Sequence, residues 1–367
     1  METDNRPVSF LRSRKLIRVI AFLLVLVLLL AGSSALIRPK GYEAYDIETV
    51  DIKLQQMSSE KDGSIDVIFA GDSELLYAFS PLQLWGEYGM TSYIISSGGQ
   101  KICDTYEILT QVFLHHSPKA VVLDGNSFYR DGSIYLEEDD KLLETAERIF
   151  PVFHYHTRYK TLPLPGVLMS FTNHRKNQEL YKGWLDVRRI EPYTGPADYM
   201  GSPDTPKEPI PEASIEYLDR ILALCREHDC ALFIEDVPSS ANWSYARHNA
   251  VEEWANAHGV DYLDLNLLNG EIGIDWSTDT RDRGDHLNFY GSLKLSDYMG
   301  RLLQEKYALA DHRGDAFYGN WQADFERAGL YGTTADLTTE KVYARAADTS
   351  DADVAGPEAG KEDGDGV

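Results

Sequence analysis

Ser73 and His286 are the side chains that this sequence sets up for covalent chemistry. The serine closes Val67-Ile68-Phe69-Ala70-Gly71-Asp72-Ser73-Glu74, where an apolar run with the composition of a buried strand breaks off at Gly-Asp-Ser. A serine there has its hydroxyl lifted off a sheet edge and becomes a nucleophile once a base reaches it. The candidate base is His286, in Gly284-Asp285-His286-Leu287-Asn288, with Asp282 and Asp285 nearby to orient its ring. Hydroxyl, imidazole and carboxylate together are the parts for acyl transfer through a serine ester. The tetrahedral oxyanion of that reaction needs donors already aimed at it. The Ser73 backbone N–H, an N–H at Gly99 and the side-chain amide of Asn126 are the candidates. Gly99 is equally what a tight turn uses, and Asn126 what a loop cap uses.

These residues lie far apart in the chain, so regular elements must gather them. Short apolar runs bounded by turn residues recur at 66–70, 93–96, 120–123, 231–237 and 262–265. Helix-like stretches follow at 105–115, 214–228, 243–257 and 290–307. This alternation predicts an α/β fold, a three-layer sandwich around a parallel sheet, with the site at the carboxyl ends of the strands. Adjacent strand ends would then carry Gly71-Asp72-Ser73, Ser97-Gly98-Gly99-Gln100 and Asp124-Gly125-Asn126.

Residues 127–211 break the rhythm with segments such as Phe150-Pro151-Val152-Phe153-His154-Tyr155-His156. They read as an insertion after the third strand, a lid over the carboxyl edge. Its aromatic and arginine side chains would either stack on sugar rings or form a small core of their own. His154 and His156 would share a face of an extended segment, but without a third ligand no metal site is expected. The cysteines Cys103, Cys225 and Cys230 give neither a disulfide framework nor a zinc framework. One bridge between Cys225 and Cys230 is open to them, the alternative being two small buried residues. No cofactor is expected.

A hydrophobic content of 43% supports a full core, and the length suits one α/β domain at about 44–330. The net charge of −24 excludes nucleic acid as a partner, because a phosphate backbone would be repelled. Part of that charge sits in 338–367, rich in Asp, Glu, Ala and Gly, which reads as a disordered, solvated tail. At the other end Arg12, Arg14, Lys15 and Arg18 precede an apolar run at 19–37 long enough to span a bilayer. Residues 1–18 thus read as a cytoplasmic basic segment, 19–37 as a single-pass membrane anchor and the rest as extracellular. Ser33-Ser34-Ala35 also suits a cleavage site, so secretion after signal-peptide removal is the alternative.

The blocks Gly71-Asp72-Ser73, Gly99, Gly125-Asn126 and Asp282 to His286, spread over 65–303, resemble the SGNH, or GDSL-like, hydrolase superfamily. Two departures stand out. Gly125-Asn126 lacks the spacer of the Gly-x-Asn block, and Arg283 stands three residues before His286 where the Asp-x-x-His block has its aspartate. Either Asp282 or Asp285 must then serve. A turn containing Gly284 would absorb one extra residue for Asp282, or swing Asp285 back. Phe150-Pro151-Val152-Phe153-His154-Tyr155-His156, Asn242-Trp243-Ser244-Tyr245 with His248-Asn249, and Asp285-His286-Leu287-Asn288 also make the chain similar to membrane-anchored SGNH-like proteins of Gram-positive bacteria. More distantly it resembles the teichoic-acid D-alanyl transfer proteins and alginate O-acetyltransferases. The resemblance implies a membrane-anchored serine esterase or O-acyltransferase acting on acyl esters of cell-envelope polysaccharide. It implies a glycan or acyl-ester substrate and a membrane acyl-donor protein as partners. The alternative is a catalytically degenerate carbohydrate-binding or assembly protein.

Overall fold

A computed structural model of the chain describes residues 8–37, 54, 56–130, 146, 149–153 and 180–330. The chain divides into two compact units, Met1–Tyr42 with Tyr135–Arg175 and Glu43–Ile134 with Lys176–Val367. In the first, helix α1 (Val8–Ile37) begins well before the apolar run, so the basic residues lie on the same helix as the apolar ones. Its Lys15–Ile37 part, with mean hydropathy 2.8, is long and apolar enough to cross a membrane, and a signal sequence has the same character. Ser34 on this helix accepts the Val152 N–H at 3.1 Å.

The second unit is built on a five-stranded sheet in the order β2-β1-β3-β4-β5. The strands are β1 (Val67–Gly71), β2 (Ser92–Ser96), β3 (Ala120–Asp124), β4 (Ala231–Asp236) and β5 (Asp261–Asp264), and every pairing is parallel. Each strand falls within two residues of the run that announced it. Successive side chains point to opposite faces, and both faces are covered, which is why the runs are continuously apolar rather than alternating. Ile68, Ala70, Val121 and Ile234 pack under α4 (Ile102–Val112), α5 (Glu212–Glu227) and α6 (Tyr245–His258). Val67, Phe69, Val122 and Phe233 pack under α2 (Ser73–Ala78), α3 (Pro81–Tyr88), α7 (Phe289–Tyr307) and α8 (Gly319–Ala328). Each such buried Val, Ile or Phe side chain contributes about 1.5–3 kcal/mol of transfer free energy.

Helices α2, α3 and α8 had no counterpart in the periodicity. The six residues of α2 are too few to show a helical period. The ends of α3 were in fact marked, by the Ser80 cap with Pro81 at the first position and by left-handed Gly89 (φ 72°).

Within the expected insertion, Gly125–Tyr129 forms a 3-10 turn directly after β3. Residues 131–145, 147–148 and 154–179, including His154 and His156, lie outside the described residues, as does the tail at 338–367. The described part from 180 onward runs along the second unit as irregular chain. Lys182 O accepts the Ile94 N–H at 2.9 Å at the β2 edge, Val187 O accepts from Phe289 at 2.8 Å, and Glu191 O accepts from Arg283 at 3.0 Å. Gly183 is needed there: its φ is +91°, and a Cβ would lie 2.1 Å from Ile94 O. Trp184, an aromatic expected on a lid, is instead a core residue, 1% exposed and 5.9 Å from the Phe289 ring. Beside it, fully buried Lys182 meets Glu60 and Asp324, each at 2.6 Å. Cys225 and Cys230 are both buried thiols rather than a bridge.

Candidate active site

In this strand order the chain reverses direction at β1, whose neighbours β2 and β3 are reached by crossovers on opposite faces. A crevice therefore opens between the carboxyl ends of β1 and β3. Ser73 follows the first of those ends and Asn126 the second. Asp72 caps α2 by accepting the Glu74 N–H at 2.9 Å, which makes Ser73 the first residue of that helix. Gly71 is fixed by packing, since a Cβ would sit 2.4 Å from the Asp124 Cβ on the neighbouring strand.

His286 arrives from a hairpin-like loop pinned by the bridge between Thr280 and Leu287. The loop is held from outside as well. Ser240 N–H donates to Gly284 O at 2.8 Å, Ser239 Oγ donates to Asp285 O at 2.8 Å, and Asn288 caps α7 while donating to Thr278 O at 2.7 Å. The result brings His286 Nε2 to 2.9 Å from Ser73 Oγ and His286 Nδ1 to 2.8 Å from Asp282 Oδ2. Asp282 also accepts the His286 backbone N–H, at 2.7 Å through Oδ1. Its carboxylate only accepts, so the proton of the neutral ring is on Nδ1 and the lone pair of Nε2 faces the serine. Asp285 Oδ2 is 3.6 Å from Nδ1, beyond hydrogen-bond reach. The extra residue in the spacing is taken up by left-handed Arg283 (φ 66°) and Gly284 (φ 95°). At Gly284 a side chain would also strike Ser240 Oγ, at 2.3 Å.

Asn126 is oriented by its neighbours. Arg247 Nη1, which only donates, reaches Oδ1 at 3.1 Å, and this turns Nδ2 towards Asp72 Oδ2 at 3.0 Å. One amide hydrogen is thus used and the other is available to a bound group. Arg130 also pairs with Asp72. Gly99 occupies an exposed turn at the end of β2, with φ +65° and the Gln100 N–H on Ser97 O at 3.1 Å. Tyr77 presents its ring to His286 at 5.2 Å, and Arg281 lies over Tyr77 at 4.1 Å.

Among the site residues that sequence reasoning missed is Glu74. It is 1% exposed, and Asn242 Nδ2 donates both to its Oε1, at 2.7 Å, and to Asp285 Oδ1. Its place beside Ser73 was the available signal, but an acidic residue in a first helical turn is ordinarily a solvated partner of the helix end. Burial pushes the Glu74 carboxyl up to about 8. Burial works against charge on His286, yet Glu74, Asp282 and Asp285 outweigh it and raise the ring to about 9. Burial likewise raises Asp282, but the hydrogen bond from His286 overrides it and holds that carboxyl below the usual range. Glu74, Asp285 and His286 offer ligand atoms all within 4.8 Å of one another, a grouping able to take a metal ion.

No family model matches the chain, and no curated protein does. Among solved structures, a protein of Bacteroides fragilis assigned to the acylhydrolases aligns over 71% of this chain and 96% of its own, with 11% identity and a TM-score of 0.36. A gut microbial diltiazem-metabolizing enzyme aligns over 69% of this chain and 49% of its own, with 15% identity and a TM-score of 0.26. Likeness of that extent carries no argument about activity, which has to come from the site.

Proposed function

We propose that the chain is a serine esterase or O-acyltransferase, anchored by α1 and working outside the membrane on acyl esters of cell-envelope polysaccharide. The observation that carries the chemistry is the unbroken line from Ser73 Oγ through His286 to Asp282, with contacts of 2.9 and 2.8 Å. Ser73 attacks the ester carbonyl while Nε2 takes its proton. The imidazolium is stabilised by Asp282 and then protonates the leaving alcohol. The Ser73 and Gly99 N–H groups and the second Asn126 amide hydrogen receive the oxyanion. Water or a glycan hydroxyl then attacks the acyl-enzyme, and a membrane acyl-donor protein would load it in the transferase case. The substrate class follows from the resemblance of the motif blocks and from the apolar helix at Lys15–Ile37, long enough to hold the domain at a bilayer.

The degenerate alternative draws on two features, the displaced aspartate and the aromatic insertion, and only the first bears on the catalytic residues. The turn at Arg283 and Gly284 weakens the first, because it delivers Asp282 to Nδ1 despite the extra residue. A fluorophosphonate probe, which phosphonylates activated serines, tests the reading. Labelling of the full-length protein and hydrolysis of p-nitrophenyl acetate should both vanish in Ser73→Ala. Retention of either in that variant refutes the assignment.

A further inference from the structure

We propose that Glu74, Asp285 and His286 bind a divalent transition-metal ion of the zinc class, and that filling this site switches off Ser73. The first half stands on the geometry alone; the second rests on the reading of Ser73 and His286 as nucleophile and base.

The donor atoms lie within 4.8 Å of one another, close enough to converge on one ion. Glu74 is 1% exposed, and its Oε2 has no hydrogen-bond partner among the described residues. A buried carboxyl oxygen left without a partner is costly, and a cation that displaces its proton relieves it. The other Glu74 oxygen and Asp285 Oδ1 are both drawn onto one amide nitrogen, Asn242 Nδ2. A single neutral donor thus gathers two carboxylates beside an imidazole. One nitrogen and two carboxylate oxygens, with a position left for water, match the ligand set of an open tetrahedral zinc site. Magnesium and calcium prefer all-oxygen shells with more ligands and are disfavoured here.

Occupancy and catalysis exclude each other because both ring nitrogens of His286 are already committed. Nε2 faces Ser73 Oγ at 2.9 Å and Nδ1 faces Asp282 at 2.8 Å. An ion bound through Nε2 takes the lone pair that would receive the serine proton. One bound through Nδ1 displaces the proton that Asp282 orients. Either way the ring stops acting as a base, and removing the ion restores it. No bond to substrate is made or broken, and the only groups exchanged are protons released from the ligands as the metal binds.

The test is Zn²⁺ titration of the full-length protein in detergent by equilibrium dialysis, with excess Mg²⁺ present to occupy surface carboxylates. Wild type and Ser73→Ala should each hold one ion tightly. Glu74→Gln and Asp285→Asn, the second of which alters a part-exposed side chain, should each bind it at least ~10-fold more weakly. Equal affinity in wild type and both ligand variants overturns the site. In the same preparations Zn²⁺ should abolish p-nitrophenyl acetate hydrolysis over the concentration range in which it binds, and a chelator should restore it. The expected binding pattern with hydrolysis unaffected by Zn²⁺ overturns the switch and leaves the site. The same pattern in a chain with no hydrolysis at all overturns the esterase reading and leaves the site.

Discussion

Replacing Asp282 or Asp285 by asparagine separates the two candidate orienting acids with the least change of shape. Asp282 makes two contacts with His286, at 2.8 Å to Nδ1 and at 2.7 Å from the backbone N–H. A hydrogen bond to a charged group contributes about 1.5–3 kcal/mol. The Asp282 side chain is 31% exposed, so solvent screening favours the lower half of that range. With about 1.4 kcal/mol per tenfold, the lost bond costs roughly 10- to 30-fold. An asparagine that turns its NH₂ towards Nδ1 also favours the wrong tautomer, placing a proton on Nε2 against the serine. The combined expectation for Asp282→Asn is a fall of about 10²–10³ in kcat/KM. Asp285 lies 3.6 Å from Nδ1 with its side chain 39% exposed, so it acts only through its screened charge. That is worth about 1 kcal/mol, or roughly fivefold. The asparagine replacing it keeps an oxygen for Asn242. The measurement is initial rates on p-nitrophenyl acetate, normalised to the fraction of protein labelled by a fluorophosphonate. If Asp285→Asn loses as much as Asp282→Asn, the assignment of the orienting acid is wrong.

Four further outcomes follow from the structure. His286 acts as a base only when neutral, so with its ring raised to about 9 the kcat/KM should climb with pH towards that value. Glu74→Gln removes the foremost of the raising carboxylates and should move this limb to lower pH; an unmoved profile would sink the account. His286 and Glu74, at about 8, both hold protons more tightly folded than unfolded. Their contribution to stability is complete below the unfolded values and lost as pH rises through the folded ones, so Tm should fall between pH 7 and 9. Lys182→Met leaves Glu60 and Asp324 buried without their cation, and urea denaturation should show a loss of about 3–5 kcal/mol. A loss under ~1 kcal/mol would mean that the carboxylates find other partners or take up protons at little cost. Asn126→Ala should lower kcat by about 10²–10³ with little change in KM, and a loss below tenfold would remove Asn126 from the oxyanion site.

Strands β1 to β4 were legible because a parallel sheet covered on both faces writes each as a short run of buried, mostly apolar residues, whereas edge strand β5 is only part-buried. Helices α4 to α7 were legible because each presents one apolar face over several turns. α2 was not, because its buried residues, Glu74 among them, pack on all sides and leave no period to read. In the site, the serine and histidine stood out by chemical type at strand and helix ends. The choice between Asp282 and Asp285 depended on the left-handed backbone at Arg283, which no sequence pattern announces because arginine seldom adopts it. Arg247 and Asn242 were invisible as site residues for another reason. Each acts through long-range contacts, Arg247 on Asn126 and Asn242 on Glu74 and Asp285, from an ordinary polar position near the start of α6.

The electrostatics of the crevice grow from the way the strands end. Asp72, Asp124 and Asp264 each follow or close a strand, and each accepts the N–H two residues further on, at 2.9, 3.1 and 2.9 Å. This local turn chemistry is cheap when exposed, but here all three carboxyl groups are buried. Burial therefore pushes Asp124 up, and with it Glu235 and Asp236 at the end of β4. The cations that enter the edge, Arg130, Arg247 and protonated His286, each meet a carboxylate, Asp72, Glu208 and Asp282 in turn. The same field makes His286 a stronger base once its proton has left and a slower one to lose it. The ester should therefore be attacked best where the pH has already emptied Nε2. Turn chemistry at the strand ends thereby sets the working range of a histidine that arrives from the far end of the domain.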